Sequence, residues 1–120
     1  MDFALLFFEV FLVAVMVASP ILITLALIIV LLGLMVGRKE GWRRFDALYW
    51  SFITATTVGY GDLRPTRPLS KALSVTIAIL GLILTGIIVA IGVYSASVAL
   101  DQRVGTETFQ NGIEKTVHEP

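Results

Sequence analysis

Residues Thr56–Asp62 read Thr-Thr-Val-Gly-Tyr-Gly-Asp and lie between two long apolar runs. No other stretch restricts the fold as tightly. Gly59 and Gly61 alternate with bulkier residues, and glycine adopts φ > 0 where other residues avoid it. A backbone of alternating handedness points successive carbonyls the same way, instead of zigzagging as a strand does. The heptad is therefore a row of main-chain oxygens facing one side.

The flanking runs set the protein class. Of 120 residues, 57% are hydrophobic, with a mean hydropathy of +0.89. A soluble domain of this size cannot hide so much apolar surface, so a membrane protein of one domain is expected. There are no cysteines, which removes disulfides and thiol-ligated metals. Formal net charge is zero, yet seven of the nine Lys and Arg cluster at Arg38, Lys39, Arg43, Arg44, Arg64, Arg67 and Lys71. That cluster flanks the heptad and does not form a nucleic-acid-binding stripe. The single histidine, His118, reads as a solvated residue of the polar end.

From Phe3 to Val36 the chain is apolar with one charge, Glu9. As a helix that run would span roughly 50 Å, against a hydrocarbon core of about 30 Å. It is too long for one upright crossing and short for two. One crossing from Pro20 to Val36 is expected. Residues 1–19 then form an apolar extension, lying in the interface or continuing the helix with a kink at Pro20; an extra full crossing is the alternative. The start lacks the basic region of a secretory signal and has Asp2 in its place. Residues 37–45 form a short charged turret with Gly37 and Gly41 as breakers. Asp46 is a plausible N-cap for a helix over 46–56, too short to cross. Pro65 and Pro68 keep the next stretch out of a helix. A second crossing covers 69–100, and 101–120 is a polar tail. There Phe109, Ile113 and Val117 make a faint stripe at i, i+4, i+8, but Gly105 and Gly112 favour a frayed end. No internal repeat is visible.

The wider pattern resembles the potassium channels of the small two-helix, pore-only type. Leu48-Tyr49-Trp50-Ser51-Phe52 precedes the heptad, Thr54-Ala55-Thr56-Thr57 leads into it, Pro65 follows, and a long apolar helix with Gly81 comes after. The Thr-Val-Gly-Tyr-Gly loop is the one by which potassium selectivity filters are recognised. The resemblance implies an all-α membrane protein, with two transmembrane helices flanking a re-entrant pore helix (46–56) and a filter loop (57–61). One copy of the filter per chain implies a fourfold homotetramer within a lipid bilayer. The implied function is passive, potassium-selective conduction across the cell membrane, with no cofactor besides the permeant ions, no nucleic acid and no catalysis. The alternatives are a non-conducting accessory subunit and a weakly selective cation channel.

Residue by residue, the resemblance implies potassium binding at the carbonyls of Thr57, Val58, Gly59, Tyr60 and Gly61, with the Thr57 hydroxyl closing the innermost site. Tyr49 and Trp50 would form an aromatic cuff around Tyr60, with an interfacial aromatic belt as the other reading. Asp62 would accept a hydrogen bond from Trp50. The buried glutamate found behind some filters is replaced by Ile53, so a carboxyl pair with Asp62 cannot form and a longer-lived conducting filter is expected. Arg64 stands where relatives with an aromatic residue grip external quaternary ammonium ions; four arginines would repel them. Gly81 matches a gating hinge, with close helix packing as the other reading. Leu82, Thr85 and Val89 would line the cavity. The positive-inside tendency would place the basic loop in the cytoplasm; the resemblance places it outside.

Overall fold

The computed structural model describes residues 2–119. They form α1 (Phe3–Glu40), α2 (Arg44–Ala55) and α3 (Pro68–His118). The described chain is helical apart from its connections, and α1 and α3 are each long and apolar enough to cross a membrane. Two compact units are distinguished. One holds residues up to Val17 together with those from Val89 onward; the other is Ala18–Ile88.

The Ala18–Ile88 unit carries the heptad. Its core is Ile29 and Val36 of α1, Trp50 and Ala55 of α2 and Ile77 of α3, flanked by Leu32, Trp42, Leu63, Leu73, Leu80 and Leu84. Small residues set how closely the helices approach. Gly33 and Gly37 are buried on α1. A side chain at Gly33 would overlap Ser51 Oγ, and one at Gly37 would stand 2.5 Å from Ala47 Cβ. The α1 backbone thus rests directly on the Ala47–Ser51 face of α2, the close approach small residues permit. Ser51 is itself buried, and its hydroxyl donates to the Ala47 carbonyl at 2.6 Å, so no polar atom is stranded there.

α1 continues beyond the expected break at Gly37. It ends at Glu40, where Gly41 takes φ +74° and the Trp42 amide bonds back to the Gly37 carbonyl at 2.8 Å. This is the left-handed glycine termination of a helix. α2 begins two residues earlier than the sequence suggests. Arg43 is its N-cap, without a side-chain bond, and Asp46 lies in the first turn. The expectation of Asp46 as N-cap is corrected: its carboxylate faces the positive end of the helix from inside the first turn. α3 opens on Pro68, whose missing N–H costs nothing at a first helical position.

In the other unit, Ser95 and Ala99 of α3 are fully buried. Phe3, Phe7 and Phe11 stack along α1 with centroid spacings of 6.4 and 5.8 Å. A cavity of about 210 Å³ is lined by Phe3, Leu6, Ala99, Gln102, Arg103, Thr106 and Glu107. The frayed end expected for the tail is not what is observed: α3 runs through Gly105 and Gly112 to His118. Each glycine costs a helix about 1 kcal/mol relative to alanine. An i,i+4 pair between Arg103 and Glu107 at 3.5 Å and several helix-forming neighbours oppose that cost.

Candidate functional site

The site is the connection between α2 and α3, and hydrogen bonding decides its shape. The Thr56 and Thr57 amides donate to Phe52 and Thr54 carbonyls at 3.0 and 3.2 Å, and the Gly59 amide donates to Ile53 at 3.1 Å. The Thr56 hydroxyl also donates to the Phe52 carbonyl, at 2.8 Å. The Phe52, Ile53 and Thr54 carbonyls near the end of α2 are thus satisfied by amides of the segment that follows. The heptad is clipped to the end of α2 through its N–H groups, and its carbonyls are left over. Among the described residues no donor reaches the carbonyls of Thr57, Val58, Gly59 or Tyr60.

Backbone handedness follows the alternation read from the glycines and extends it. Gly59 and Gly61 have φ +54° and +80°, and Thr57 has φ +63°. A β-branched residue in the left-handed region is an outlier, costing on the order of 1–3 kcal/mol. Sequence reasoning found the glycines because glycine marks such positions. It missed Thr57 because threonine does not.

Aromatic side chains of α2 and the loop after α1 stand beside the heptad. Trp50 is buried in the core, with its ring edge-on to Trp42 at 5.3 Å. The Asp62 carboxylate lies close enough to the Tyr49 phenol to interact with it electrostatically. On a helix, adjacent residues point about 100° apart, so Tyr49 and Trp50 have different surroundings. Trp50 packs in the core shared by Ile29 and Val36 of α1 and Ile77 of α3. Ile53 is buried where the absent glutamate would stand.

A second fastening was not anticipated. Glu40, beyond the apolar run of α1, reaches the stretch between Asp62 and α3. Its carboxylate accepts from the Thr66 amide at 2.9 Å, the Thr66 hydroxyl at 2.7 Å and the Arg67 amide at 3.0 Å. The Arg67 amide and then the Thr66 hydroxyl hold its pKa down to about 2 from the usual 4.5. These amides precede the first turn of α3, so the carboxylate also meets the positive end of that helix. The only sequence signal was a lone acid at the end of a basic helix turn.

Gly81 lies against the end of α2. A side chain there would overlap the Ala55 carbonyl oxygen and stand 2.5 Å from Ala55 Cα. Ala55 is the last residue of α2, immediately before the heptad. Leu82, Thr85 and Val89 are exposed on α3. Gly61 and Arg64 meet at the far end of the heptad, where Arg64 Nε donates to the Gly61 carbonyl at 3.0 Å.

Comparison with known proteins agrees with this geometry. A family profile described as "Ion channel" matches residues 5–95. The TWiK family of potassium channels protein 7 of Caenorhabditis elegans is 42% identical over 69 residues, covering 55% of this chain and 12% of that protein. A voltage-gated potassium channel of Aeropyrum pernix is 47% identical over 38 residues, 32% of this chain and 13% of the relative. The putative potassium channel protein YugO of Bacillus subtilis is 32% identical over 69 residues, 52% and 21% respectively. The chain thus spans a small part of the length of the curated relatives it matches. No solved structure gives a significant match. With the profile covering α1 from residue 5, all of α2, the loop and α3 as far as residue 95, the chain belongs to the ion channel family.

Proposed function

We propose that four copies of this chain surround one axis and form a potassium-selective pore, with Thr57–Gly61 as its filter. The observation carrying this reading is the row of carbonyls at Thr57, Val58, Gly59 and Tyr60, which accept no hydrogen bond within the described chain. Backbone carbonyls need partners. Rings of such oxygens replace the water shell of a bare monovalent cation. The alternating left-handed residues Thr57, Gly59 and Gly61 support a common direction for these oxygens. Similarity to proteins named as potassium channels supports potassium as the ion.

In this reading α2 is a re-entrant pore helix. Irregular backbone at membrane depth is tolerated where protein surrounds it or it lines a water-filled lumen, and a tetramer supplies both. Only 6% and 11% of the most apolar windows of α1 and α3 are buried within one protomer, so lipid and neighbouring copies cover the rest. Leu82, Thr85 and Val89 line the cavity below the filter. Gly81 holds α3 to the end of α2; bending there as a hinge requires that contact with Ala55 to part. The loop faces outward from the cell membrane, and conduction follows the electrochemical gradient with no bond made or broken.

The test is a planar-bilayer recording under bi-ionic K⁺/Na⁺ conditions, paired with cross-linking to count subunits. Potassium current blocked by barium, from a tetramer, is expected. Equal Na⁺ and K⁺ currents would instead favour a weakly selective cation channel, and absence of current an accessory subunit.

A further inference from the structure

Arg64 is the one residue of the loop whose side chain engages a carbonyl of the heptad. Its Nε donates to the Gly61 oxygen at 3.0 Å. The rest of the guanidinium lies over the same residue: a side chain at Gly61 would meet Arg64 Nη2 at 3.5 Å and Nε at 3.6 Å. Gly61 has φ +80°, so its backbone is held in a glycine-favouring conformation beneath the guanidinium. Pro65 follows Arg64, and a residue before proline is restricted to extended backbone. This helps hold the side chain in its folded-back position.

The charge on Arg64 is not paired off locally. Among the described residues the ion pair within 4.0 Å is Arg103–Glu107, and Arg64 is exposed.

We propose that Arg64 is a positioning residue that sets how cations reach the filter. It commits the Gly61 carbonyl to a side-chain donor, so the ion-binding carbonyls end at Tyr60. It also places a fixed positive charge where a cation arriving from that side loses its water. This rests on the channel reading above. In a fourfold assembly the guanidiniums form a ring. Their combined repulsion lowers the local cation concentration at that mouth, a screened Coulomb effect.

The consequence is asymmetric conduction that depends on ionic strength. Current carried from the Arg64 side is smaller than current of equal driving force from the α3-end side. At about 0.01 M salt, where screening reaches about 30 Å, removing the ring raises the suppressed current about tenfold; at 1 M, with screening near 3 Å, the change falls below about twofold.

Single-channel recording of the full chain tests this, with orientation read from a tag on the α3 end. Arg64→Gln removes charge and donor geometry together; it is expected to abolish the asymmetry. Arg64→Lys keeps the charge but lacks the planar Nε–H. It is expected to keep the asymmetry while strengthening barium block from the Arg64 side, because the Gly61 carbonyl is released to the ion. Unchanged low-salt currents in Arg64→Gln overturn the proposal, and so does unchanged barium block in Arg64→Lys. If neither variant assembles, the parent channel decides: asymmetry persisting at high salt refutes the charge ring. A parent chain with no potassium current at all defeats the channel reading instead, which is a separate outcome.

Discussion

Replacing Gly81 with alanine separates two roles that this glycine could have. In a hinge, alanine stiffens the helix and returns the helix-propensity deficit of glycine, so stability rises by about 1 kcal/mol. In a packing contact the sign reverses. The added carbon would overlap the Ala55 carbonyl oxygen and lie 2.5 Å from Ala55 Cα and 2.6 Å from its carbonyl carbon, where ordinary contact is 3.4–4 Å. All three atoms are backbone, so no side chain can swing away, and the last turn of α2 must withdraw by about 1 Å. Overpacking of this kind costs typically 1–3 kcal/mol. With backbone as the obstacle the upper end applies, and after the propensity gain the net loss is about 2 kcal/mol, or roughly thirtyfold in the unfolding equilibrium. Gly105 is the control. It is exposed, lies within α3 and has open space around it, so Gly105→Ala gains up to about 1 kcal/mol. Denaturation in detergent micelles, followed by tryptophan fluorescence, measures both. Trp42 and Trp50 lie in or against the core that the shift disturbs. A Gly81→Ala chain as stable as the parent would refute the packing argument. Stability retained with loss of channel opening would establish the hinge.

Other perturbations address the loop itself. Glu40→Gln removes the carboxylate that binds Thr66 and Arg67; a lower thermal midpoint at neutral pH is expected. The folded pKa is about 2 against a usual 4.5. The tether therefore contributes fully above the usual value and is lost as pH falls from 4.5 towards 2. Glu40→Gln should flatten that acid limb, and an unaltered limb would count against the tether. Gly59→Ala has open space around the added carbon but φ +54°; it should cost about 1–2 kcal/mol through backbone conformation alone and reduce potassium selectivity in flux assays. Equal selectivity in that variant would argue against the alternating-handed filter. Tyr49→Phe removes the phenol that lies near the Asp62 carboxylate and should hasten current decay during sustained opening. Ile53→Glu, which supplies the missing second carboxyl, should shorten it further; decay identical to the parent in both would detach Asp62 from filter lifetime.

Much of the site was legible in the order of residues because glycine and proline declare backbone geometry one position at a time. Gly59 and Gly61 required φ > 0, and Pro65 lies in the non-helical return segment, whereas Pro68 opens α3. The apolar runs declared two crossings but left residues 1–19 open, and α1 runs as one helix from Phe3 through Pro20 to Glu40. Threonine makes no such declaration, so the left-handed Thr57 emerged only with coordinates. The bounds of α2 moved from 46–56 to Arg44–Ala55 because helix ends depend on which local bond wins. The persistence of α3 to His118 shows tail propensity prevailing over two glycines.

What no reading along the chain could supply were relations between residues distant in order. The Glu40 carboxylate meets Thr66, twenty-six positions away, at 2.7 Å. Gly81 meets Ala55, and Gly33 meets Ser51. Sequence determined that the loop would present its main-chain oxygens, since that follows from φ preferences local to each residue. Tertiary structure alone decided what holds the loop in position, because helices approach only where small residues meet, and rotation about each axis selects which neighbour faces the loop.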